Sequence, residues 1–262
     1  MNALKLAAVL VAVLLLTDAR AVGASGGEYA VQGSAEAELN VFRVGCPSAA
    51  RPASIATAFA HKSGLIITAA HNLEGCEAPD IRVVASRGAR TGVTAVEKDL
   101  ALDLALLTPS DKTFVGQGGL EVLAPSSLNI GAPVSMWGFP FGGSPSASGV
   151  PLLTFGHLAG VTAPAPKIRK WMISGAVNPG NSGGPLIETR TGKVIGVLLS
   201  KFNPTSKTFH ADLQKLSETG TDEVKRLARL IAELDARSQV MIGSAVFVQD
   251  LRDFLLSKGV TP

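Results

Sequence analysis

The chain has 262 residues, of which 46% are hydrophobic and 17% are charged, so it is long and apolar enough to bury a sizeable core. This composition excludes an intrinsically disordered chain, because such chains are poor in apolar residues and rich in net charge. The 24 Lys and Arg and the 21 Asp and Glu leave a net charge of +3 without any basic cluster, so no nucleic-acid partner is expected.

The chain begins with the pattern of a secretory signal peptide. Lys5 precedes an uninterrupted apolar run at 6–16, which is shorter than the ~20 residues that a membrane-spanning helix needs. Small residues then provide two cleavage sites, one after Ala21 and one after Ala24. We therefore expect residues 1–24 to be a removed signal peptide and the protein to be secreted or periplasmic, with no membrane anchor after cleavage. An uncleaved anchor is the alternative.

The two cysteines, Cys46 and Cys76, are interpreted from this expected location. In an oxidising compartment, two thiols with one possible partner each most often form a disulfide. Closing a loop of about thirty residues would stabilise the fold by roughly 3–4 kcal/mol. Two free thiols or a catalytic cysteine are the alternatives, although neither residue lies in a recognisable nucleophile sequence.

Short β-branched or alternating runs, separated by Gly, Pro, Asn and Ser, indicate strands through most of the remaining chain. The predicted strands lie at 39–44, 54–59, 65–69, 81–85, 93–96, 104–107, 133–137, 152–156, 172–174, 194–199 and 241–248. A Gly-rich segment at 116–127 divides them into two halves. Helical periodicity is scarce before residue 209, which argues against a parallel α/β sheet and favours two all-β halves.

Two helices are predicted towards the C-terminus. Thr221 is the expected N-cap of a helix at about 222–237, in which Asp222 and Glu223 provide favourable first-turn charges. The apolar stripe of this helix consists of Val224, Leu227, Leu230, Ile231 and Leu234. The second helix is predicted at about 248–257, and its inward-facing residues are Leu251, Phe254 and Leu255.

Three local sequences contain side chains that are suited to catalysis. A strand-like run ends at His71 among small residues, where an imidazole can act as a general base near neutral pH. Asp103 opens an apolar strand, a place where a carboxylate must be hydrogen-bonded to be buried. Glycines at 180, 183 and 184 flank Ser182 and allow backbone N–H groups to turn towards a developing oxyanion.

These sequences resemble the active site of the chymotrypsin-fold serine proteases, in particular their HtrA (DegP-like) or trypsin-2 branch. The matching segments are Thr-Ala-Ala-His at 68–71, Asp-Leu-Ala-Leu-Leu at 103–107 and Gly-Asn-Ser-Gly-Gly-Pro at 180–185. Further matches are Trp-Gly-Phe-Pro-Phe-Gly at 137–142 and Ile-Gly-Ser-Ala-Val at 242–246, the second being similar to the strand that lines the family's specificity pocket. The resemblance covers about residues 36–258.

The resemblance implies an all-β fold class with two antiparallel six-stranded β-barrels and an active site in the cleft between them. The first barrel would span about 30–117 and the second about 128–262, within a protease domain at 25–262. A helical insertion at about 205–240 stands where the family usually has a short loop. The PDZ domain of HtrA relatives is not expected after the C-terminal helix.

The resemblance also implies the roles of individual residues, without any metal or cofactor. Ser182 would be the nucleophile, His71 its general base and acid, and Asp103 the group that orients the imidazole. The backbone N–H groups of Gly180 and Ser182 would form the oxyanion hole. Asp99 is the rival acid because Asp-Leu-Ala-Leu at 99–102 imitates the Asp103 motif, but the residues after Asp103 match the family better.

The serine loop also satisfies Gly-Xaa-Ser-Xaa-Gly, the nucleophile elbow of α/β-hydrolases. An elbow requires a helix directly after the serine, whereas Gly-Gly-Pro at 183–185 is a poor helix start. The histidine would also have to follow the serine, and His210 is the only histidine downstream. We therefore reject this alternative and expect His61, His157 and His210 to be loop or surface histidines.

Two features predict how such a protease would differ from the digestive enzymes. Those enzymes have Asp before the nucleophile, where it pairs with a newly formed N-terminal ammonium; Asn181 is uncharged, so activation by that ion pair is not expected. The absence of a carboxylate at the pocket base predicts cleavage after small or medium apolar residues. The residues expected to line the substrate pocket are Ala176, Val177, Asn178, Leu199, Ser200 and Gly243.

Two functions remain open at this point. The first is a secreted serine endopeptidase that acts on protein or peptide substrates through an acyl-enzyme intermediate. The alternative is a catalytically silent pseudoprotease that acts as a binding module through the same fold and the inserted helix. Helix 222–237 either packs its apolar stripe on the second barrel or gates the substrate pocket and contacts a partner.

Overall fold

Two antiparallel β-sheets make up most of the described chain, as the alternating runs predicted. The computed structural model describes residues 34–46, 56–86, 88–115, 118–124, 128–143, 149–165, 168–201, 207–237 and 241–262, all within one compact unit, Gln32–Pro262. The predicted signal peptide at 1–24 lies outside these residues. None of the helices in the described ranges has the length and apolar character needed to cross a bilayer.

The first sheet has seven strands in the order β5-β4-β1-β2-β3-β7-β6. They are β1 (Val41–Gly45), β2 (Ala56–Ala60), β3 (Ile66–Ala69), β4 (Arg82–Val84), β5 (Arg90–Thr91), β6 (Val93–Asp99) and β7 (Leu104–Pro109). One strand more than predicted is present because Gly92 separates β5 from β6. The Gly92 carbonyl accepts a hydrogen bond from the Ser110 N–H at 3.0 Å.

The second sheet is a closed barrel of six strands, as the resemblance implied, and the strand order is β10-β13-β12-β11-β8-β9. The strands are β8 (Pro133–Gly138), β9 (Leu152–Ala165), β10 (Ile168–Ser174), β11 (Pro185–Glu188), β12 (Lys193–Lys201) and β13 (Ile242–Val246). With the first sheet, this barrel confirms the all-β, chymotrypsin-like fold class.

The central strands of the first sheet are buried on both faces, which explains their nearly continuous apolar sequences. Ile66 and Leu107 belong to a cluster inside the first sheet, whereas their neighbours Ile67 and Leu106 belong to a second cluster that is shared with the closed barrel. Successive side chains of a strand point to opposite faces. The register is therefore well determined, because a slip of one residue would exchange the two faces.

Four α-helices accompany the sheets in the described residues. They are α1 (Ser34–Asn40), α2 (Lys207–Thr219), α3 (Asp222–Arg237) and α4 (Val248–Ser257). The predicted helices at 222–237 and 248–257 are confirmed as α3 and α4. Helices α1 and α2 were not predicted, and α1 replaces the first residues of the strand predicted at 39–44.

Helices α2 and α3 form a hairpin that lies between β12 and β13 in the chain. The hairpin buries Leu213 and Ala228, but Leu227, Leu230 and Leu234 of α3 remain 58%, 49% and 70% exposed. The interpretation in which the apolar stripe packs on the second barrel is therefore wrong for these three leucines, because α3 directs its buried face towards α2 instead.

Cys46 and Cys76 form the predicted disulfide, with their Cα atoms 6.1 Å apart. Cys46 directly follows β1, and Cys76 follows the short 3₁₀ turn Ala70–Leu73. The bond therefore ties the end of β1, an interior strand of the first sheet, to the segment that follows His71.

Candidate active site

The pairing of β3 with β7 brings His71 and Asp103 together. Ala69, the last residue of β3, pairs with Leu104, the first residue of β7. His71 follows β3 in the 3₁₀ turn, and its backbone N–H donates to Asp103 Oδ1 at 2.9 Å. The imidazole Nδ1 lies 2.7 Å from Asp103 Oδ2. The carboxylate therefore fixes the ring with Nδ1 towards it and Nε2 on the opposite side.

The environment of Asp103 favours its ionised form. Burial by itself raises the pKa of the Asp103 carboxyl. The hydrogen bonds from the His71 side chain and backbone lower this pKa, as do the charges of His71 and Lys170. The lowering is larger, so the pKa of Asp103 lies below its ordinary value. The Asp103 backbone has a φ of 60°, and its carbonyl accepts from the Ala70 N–H at 3.1 Å. Asp103 is thus held at both its side chain and its main chain.

The rival acid Asp99 has a different structural role. Its Oδ1 accepts hydrogen bonds from the backbone N–H groups of Ala101 and Leu102, each at 3.0 Å. These bonds cap the turn between β6 and β7. Asp103, and not Asp99, therefore contacts His71.

Ser182 lies in a tight loop, residues 179–184, which we call the nucleophile loop. Gly180 and Gly183 have φ values of 98° and 86°, a region that favours glycine. A Cβ at Gly180 would also collide with the Phe139 carbonyl, and one at Gly183 with the Thr57 carbonyl. These two glycines are thus required by the path of the backbone.

The Ser182 hydroxyl donates to the Leu199 carbonyl on β12. Among the described residues, no hydrogen bond joins Ser182 to His71. Catalytic hydrogen bonds are often long or absent without substrate and form when the substrate is bound. In this structure the Ser182 hydroxyl is therefore bonded to β12 and not to His71.

The backbone N–H groups of Gly180 and Ser182 have no hydrogen-bond partner among the described residues. In a trans peptide group the N–H points in the direction opposite to the carbonyl. The direction of each of these two N–H groups is therefore set by the carbonyl of the residue that precedes it. These carbonyls are those of Pro179, which accepts from the Phe141 N–H at 2.6 Å, and Asn181, which accepts from the Gly184 N–H at 2.9 Å. Both N–H groups are thus directed and available to bind an anion.

Two residues that the sequence analysis missed hold the nucleophile loop from the first sheet. Thr57 donates from its hydroxyl to the Gly180 carbonyl at 2.6 Å and from its backbone N–H to the Ser182 carbonyl at 3.1 Å. Asn72 donates from Nδ2 to the same Ser182 carbonyl at 2.9 Å. No local sequence signal marks either residue, because their partners lie more than a hundred positions away.

Three segments contain the predicted pocket residues: Ala176, Val177 and Asn178 follow β10, Leu199 and Ser200 belong to β12, and Gly243 belongs to β13. Strands β12 and β13 are paired, and Ser200 lies opposite Ser244. Val177 is 1% exposed, and a Cβ at Gly243 would collide with the Val177 side chain. Val177 therefore fills the space beside Gly243.

The remaining histidines differ in their surroundings. His157 and His210 are exposed, as predicted, but the prediction of a surface position is wrong for His61, which is fully buried. His61 Nδ1 accepts from the Ser63 N–H at 3.2 Å. Burial, together with the charge of Lys62, lowers the pKa of His61 to about 4. His61 is thus a neutral histidine of the core.

The chain is similar to known proteins over the segment that contains the site. A family model for a trypsin-like peptidase domain matches residues 56–197, which is just over half of the chain. The uncharacterized protein y4bJ of Sinorhizobium fredii (strain NBRC 101917 / NGR234) is 32% identical over 145 residues, which cover 55% of this chain and 21% of that protein. The chain thus spans about a fifth of the length of this curated relative.

Solved protease structures have the same fold. The active form of the Rv3671c protease from M. tuberculosis aligns with a TM-score of 0.62 at 20% identity, over 88% of this chain and 87% of that one. The HtrA-type protease AlgW with a tripeptide aligns with a TM-score of 0.63 at 19% identity, over 88% and 63%. A serine endoprotease from Yersinia pestis aligns with a TM-score of 0.60 at 20% identity, over 87% and 65%.

Proposed function

We propose that this chain, which belongs to the trypsin-like peptidase family, is a serine endopeptidase with Ser182, His71 and Asp103 as its catalytic triad. The observation that carries this proposal is the double hydrogen bond between His71 and Asp103, at 2.9 Å from the backbone N–H and 2.7 Å from Nδ1. A carboxylate in this position fixes the imidazole tautomer and stabilises the imidazolium that forms during the reaction.

The proposed reaction proceeds through an acyl-enzyme. Ser182 Oγ attacks the scissile carbonyl carbon while His71 Nε2 accepts the hydroxyl proton. The tetrahedral intermediate collapses as His71 returns this proton to the leaving amine, which breaks the peptide bond. A water molecule then attacks the acyl ester with His71 again as the base, which releases the new carboxylate and restores Ser182.

The N–H groups of Gly180 and Ser182 form the oxyanion hole in this proposal. Negative charge develops on the substrate carbonyl oxygen in the transition state, and fixed N–H dipoles stabilise it without reorganisation. Support comes from the hydrogen bonds to the Pro179 and Asn181 carbonyls, which direct both donors, and from the lack of any other partner for them among the described residues.

The proposed specificity is for small or medium apolar residues before the cleaved bond. None of the six pocket residues has a carboxylate, so arginine and lysine side chains would find no counter-charge there. Val177 supports the size limit, because it occupies the space next to Gly243. We expect alanine, valine and leucine to be accepted before the cleaved bond.

The proposed location is secreted or periplasmic. The Cys46–Cys76 disulfide supports it, since such bonds persist mainly in oxidising compartments. The predicted signal peptide at 1–24 agrees with this location but lies outside the described residues.

A catalytically silent binding module is the second candidate function. It is favoured by the Ser182 hydroxyl, which donates to Leu199 rather than to His71. In this case the exposed leucines of α3 would provide a contact surface. The prediction that this helix gates the pocket or contacts a partner stays a prediction.

A fluorophosphonate probe, which reacts covalently with an activated serine, separates the two functions. We expect the wild type and Ser217→Ala, a control in α2, to be labelled and Ser182→Ala to remain unlabelled. Labelling of none of these proteins would support the binding module. Labelling of Ser182→Ala would show that another residue is the nucleophile.

A further inference from the structure

Thr57 belongs to the first sheet but contacts the nucleophile loop of the second barrel. It lies in β2 and is fully buried. We propose that the Thr57 hydroxyl is a positioning group that holds the Gly180 carbonyl, and with it the part of the nucleophile loop that connects the two N–H groups of the oxyanion hole. This inference rests on the proposed function, because it concerns the oxyanion hole formed by Gly180 and Ser182.

The hydrogen bonds of the Thr57 hydroxyl leave it one orientation. The Phe139 N–H donates to Thr57 Oγ1 at 3.0 Å, so this oxygen acts as an acceptor on that side. The hydroxyl proton is then donated to the Gly180 carbonyl at 2.6 Å. The hydroxyl of Thr57 in β2 thus bonds both to Phe139, which follows β8, and to Gly180 in the nucleophile loop.

Thr57 is itself fixed by hydrogen bonds on both sides. Its backbone N–H donates to the Ser182 carbonyl at 3.1 Å, and its carbonyl accepts from Thr68 Oγ1 at 2.7 Å. Asn72 donates from Nδ2 to Thr68 Oγ1 at 3.1 Å and to the Ser182 carbonyl at 2.9 Å. The hydroxyl therefore acts from a rigid support.

Gly180 is the position at which the loop is most able to change. Glycine adopts many backbone conformations at little cost, so the peptide groups on either side of Gly180 can rotate unless they are held. The Phe141 N–H holds the preceding carbonyl, that of Pro179, at 2.6 Å, and Thr57 holds the Gly180 carbonyl itself. The N–H side of this second peptide group, that of Asn181, donates to the Asn178 carbonyl at 3.0 Å. Loss of the Thr57 bond would remove the restraint on its carbonyl side, and this peptide group lies between the two N–H groups of the oxyanion hole.

The test compares Thr57→Val, which removes the hydroxyl at nearly constant size, with Thr57→Ser, which retains it. The control is Thr91→Val. Thr91 is also a buried threonine of the first sheet, and its hydroxyl donates to the Gly92 carbonyl at 3.0 Å. Hydrolysis of an alanine- or valine-containing peptide is measured for each variant. We expect Thr57→Val to lower kcat about 10- to 100-fold with little change in KM, since the loss concerns transition-state binding.

Thr57→Ser should recover most of the kcat, and Thr91→Val should retain it. The inference is overturned if Thr57→Val keeps the kcat of Thr91→Val, or if Thr57→Ser is as impaired as Thr57→Val. If Thr57→Val does not fold, Thr57→Cys takes its place. Its S–H is a weaker donor than the hydroxyl, so its kcat should lie below those of the wild type and Thr57→Ser, and a wild-type kcat would contradict the inference.

Amide hydrogen exchange distinguishes a failure of this inference from a failure of the proposed function. A wild type that neither cleaves peptides nor reacts with a fluorophosphonate would contradict the proposed function alone. Peptides that cover residues 179–184 should still exchange faster in Thr57→Val than in the wild type and Thr91→Val. Equal exchange in all three proteins would show that the hydroxyl does not hold the loop.

Discussion

His71 is bound twice by the carboxylate of Asp103, through its backbone N–H at 2.9 Å and through Nδ1 at 2.7 Å. Each carboxylate oxygen therefore has its own donor on the same residue. The Asp103 carboxylate therefore fixes both the 3₁₀ turn that contains His71 and the orientation of the imidazole ring. A substitution of Asp103 is expected to change the orientation of the imidazole directly.

We predict that Asp103→Asn lowers kcat by about 10⁴-fold, because an amide stabilises neither the required imidazole tautomer nor the imidazolium. The matched control is Asp99→Asn, in which the amide oxygen can still accept the hydrogen bonds from Ala101 and Leu102. Its kcat should stay close to that of the wild type in steady-state peptide hydrolysis. A larger loss for Asp99→Asn than for Asp103→Asn would reverse the assignment of the acid.

We predict that Val177→Ala extends cleavage to larger apolar residues. The substitution removes two methyl groups beside Gly243 and so deepens the proposed pocket. In a hydrophobic pocket, one methylene more or less on the substrate changes the ratio of kcat/KM between two substrates by about 10- to 200-fold. The ratio of kcat/KM for a phenylalanine peptide to that for an alanine peptide should rise by about tenfold or more. Val134→Ala, the same change at a fully buried valine of β8, should leave this ratio unchanged. An equal ratio in both variants would exclude Val177 from the pocket.

We predict that the double variant Cys46→Ala/Cys76→Ala loses about 2–4 kcal/mol of the free energy of unfolding. The disulfide closes a loop with a sequence separation of 30, and its removal restores conformational freedom to the unfolded chain. Urea denaturation measures the change, and a reductant should destabilise the wild type but not the double variant. An unchanged urea midpoint after reduction of the wild type would contradict the prediction.

We predict that His61 makes the fold less stable on acidification from about pH 6.5 to pH 4. The pKa of His61 is lowered to about 4 by its burial, so the unfolded chain binds a proton in this window and the folded chain does not. The contribution of neutral His61 to the free energy of unfolding is therefore fully present above pH 6.5. About 1–3 kcal/mol of this free energy is lost as the pH falls to 4.

Denaturation of His61→Asn across this pH range isolates the contribution of His61. The asparagine oxygen can accept the Ser63 N–H in place of Nδ1, and the variant should show a flatter dependence of its unfolding free energy on pH. His157→Asn, at an exposed histidine, controls for the loss of a histidine as such. A profile of His61→Asn parallel to that of the wild type would contradict the prediction.

The helices show which elements can be predicted from a local sequence. Helix α3 has the predicted bounds, because a capping threonine, acidic first-turn residues and an apolar stripe all lie within it. Helix α2 has only Phe209, Leu213 and Leu216 as large apolar residues, and it is stabilised by packing on α3. These three residues have the i, i+4, i+7 spacing of a helix, so the sequence contains a periodic signal that the sequence analysis missed.

The candidate catalytic residues belong to the part that the sequence determined by itself. His71, Asp103 and Ser182 were predicted from three short segments and their resemblance to a known family. At Ser182 part of the signal is local, because the positive φ values of Gly180 and Gly183 favour glycine, whereas the close approach of the Phe139 and Thr57 carbonyls depends on the fold.

Only the tertiary structure decided which groups meet. The register of β3 on β7 places Asp103 beside His71 and leaves Asp99 to cap a turn. Thr57 reaches the Gly180 carbonyl across a separation of 123 residues, and Asn72 reaches the Ser182 carbonyl across 110. The physical reason is that a hydrogen bond requires donor and acceptor within about 3 Å, and for residues so far apart in sequence this proximity depends on the packing of the two sheets.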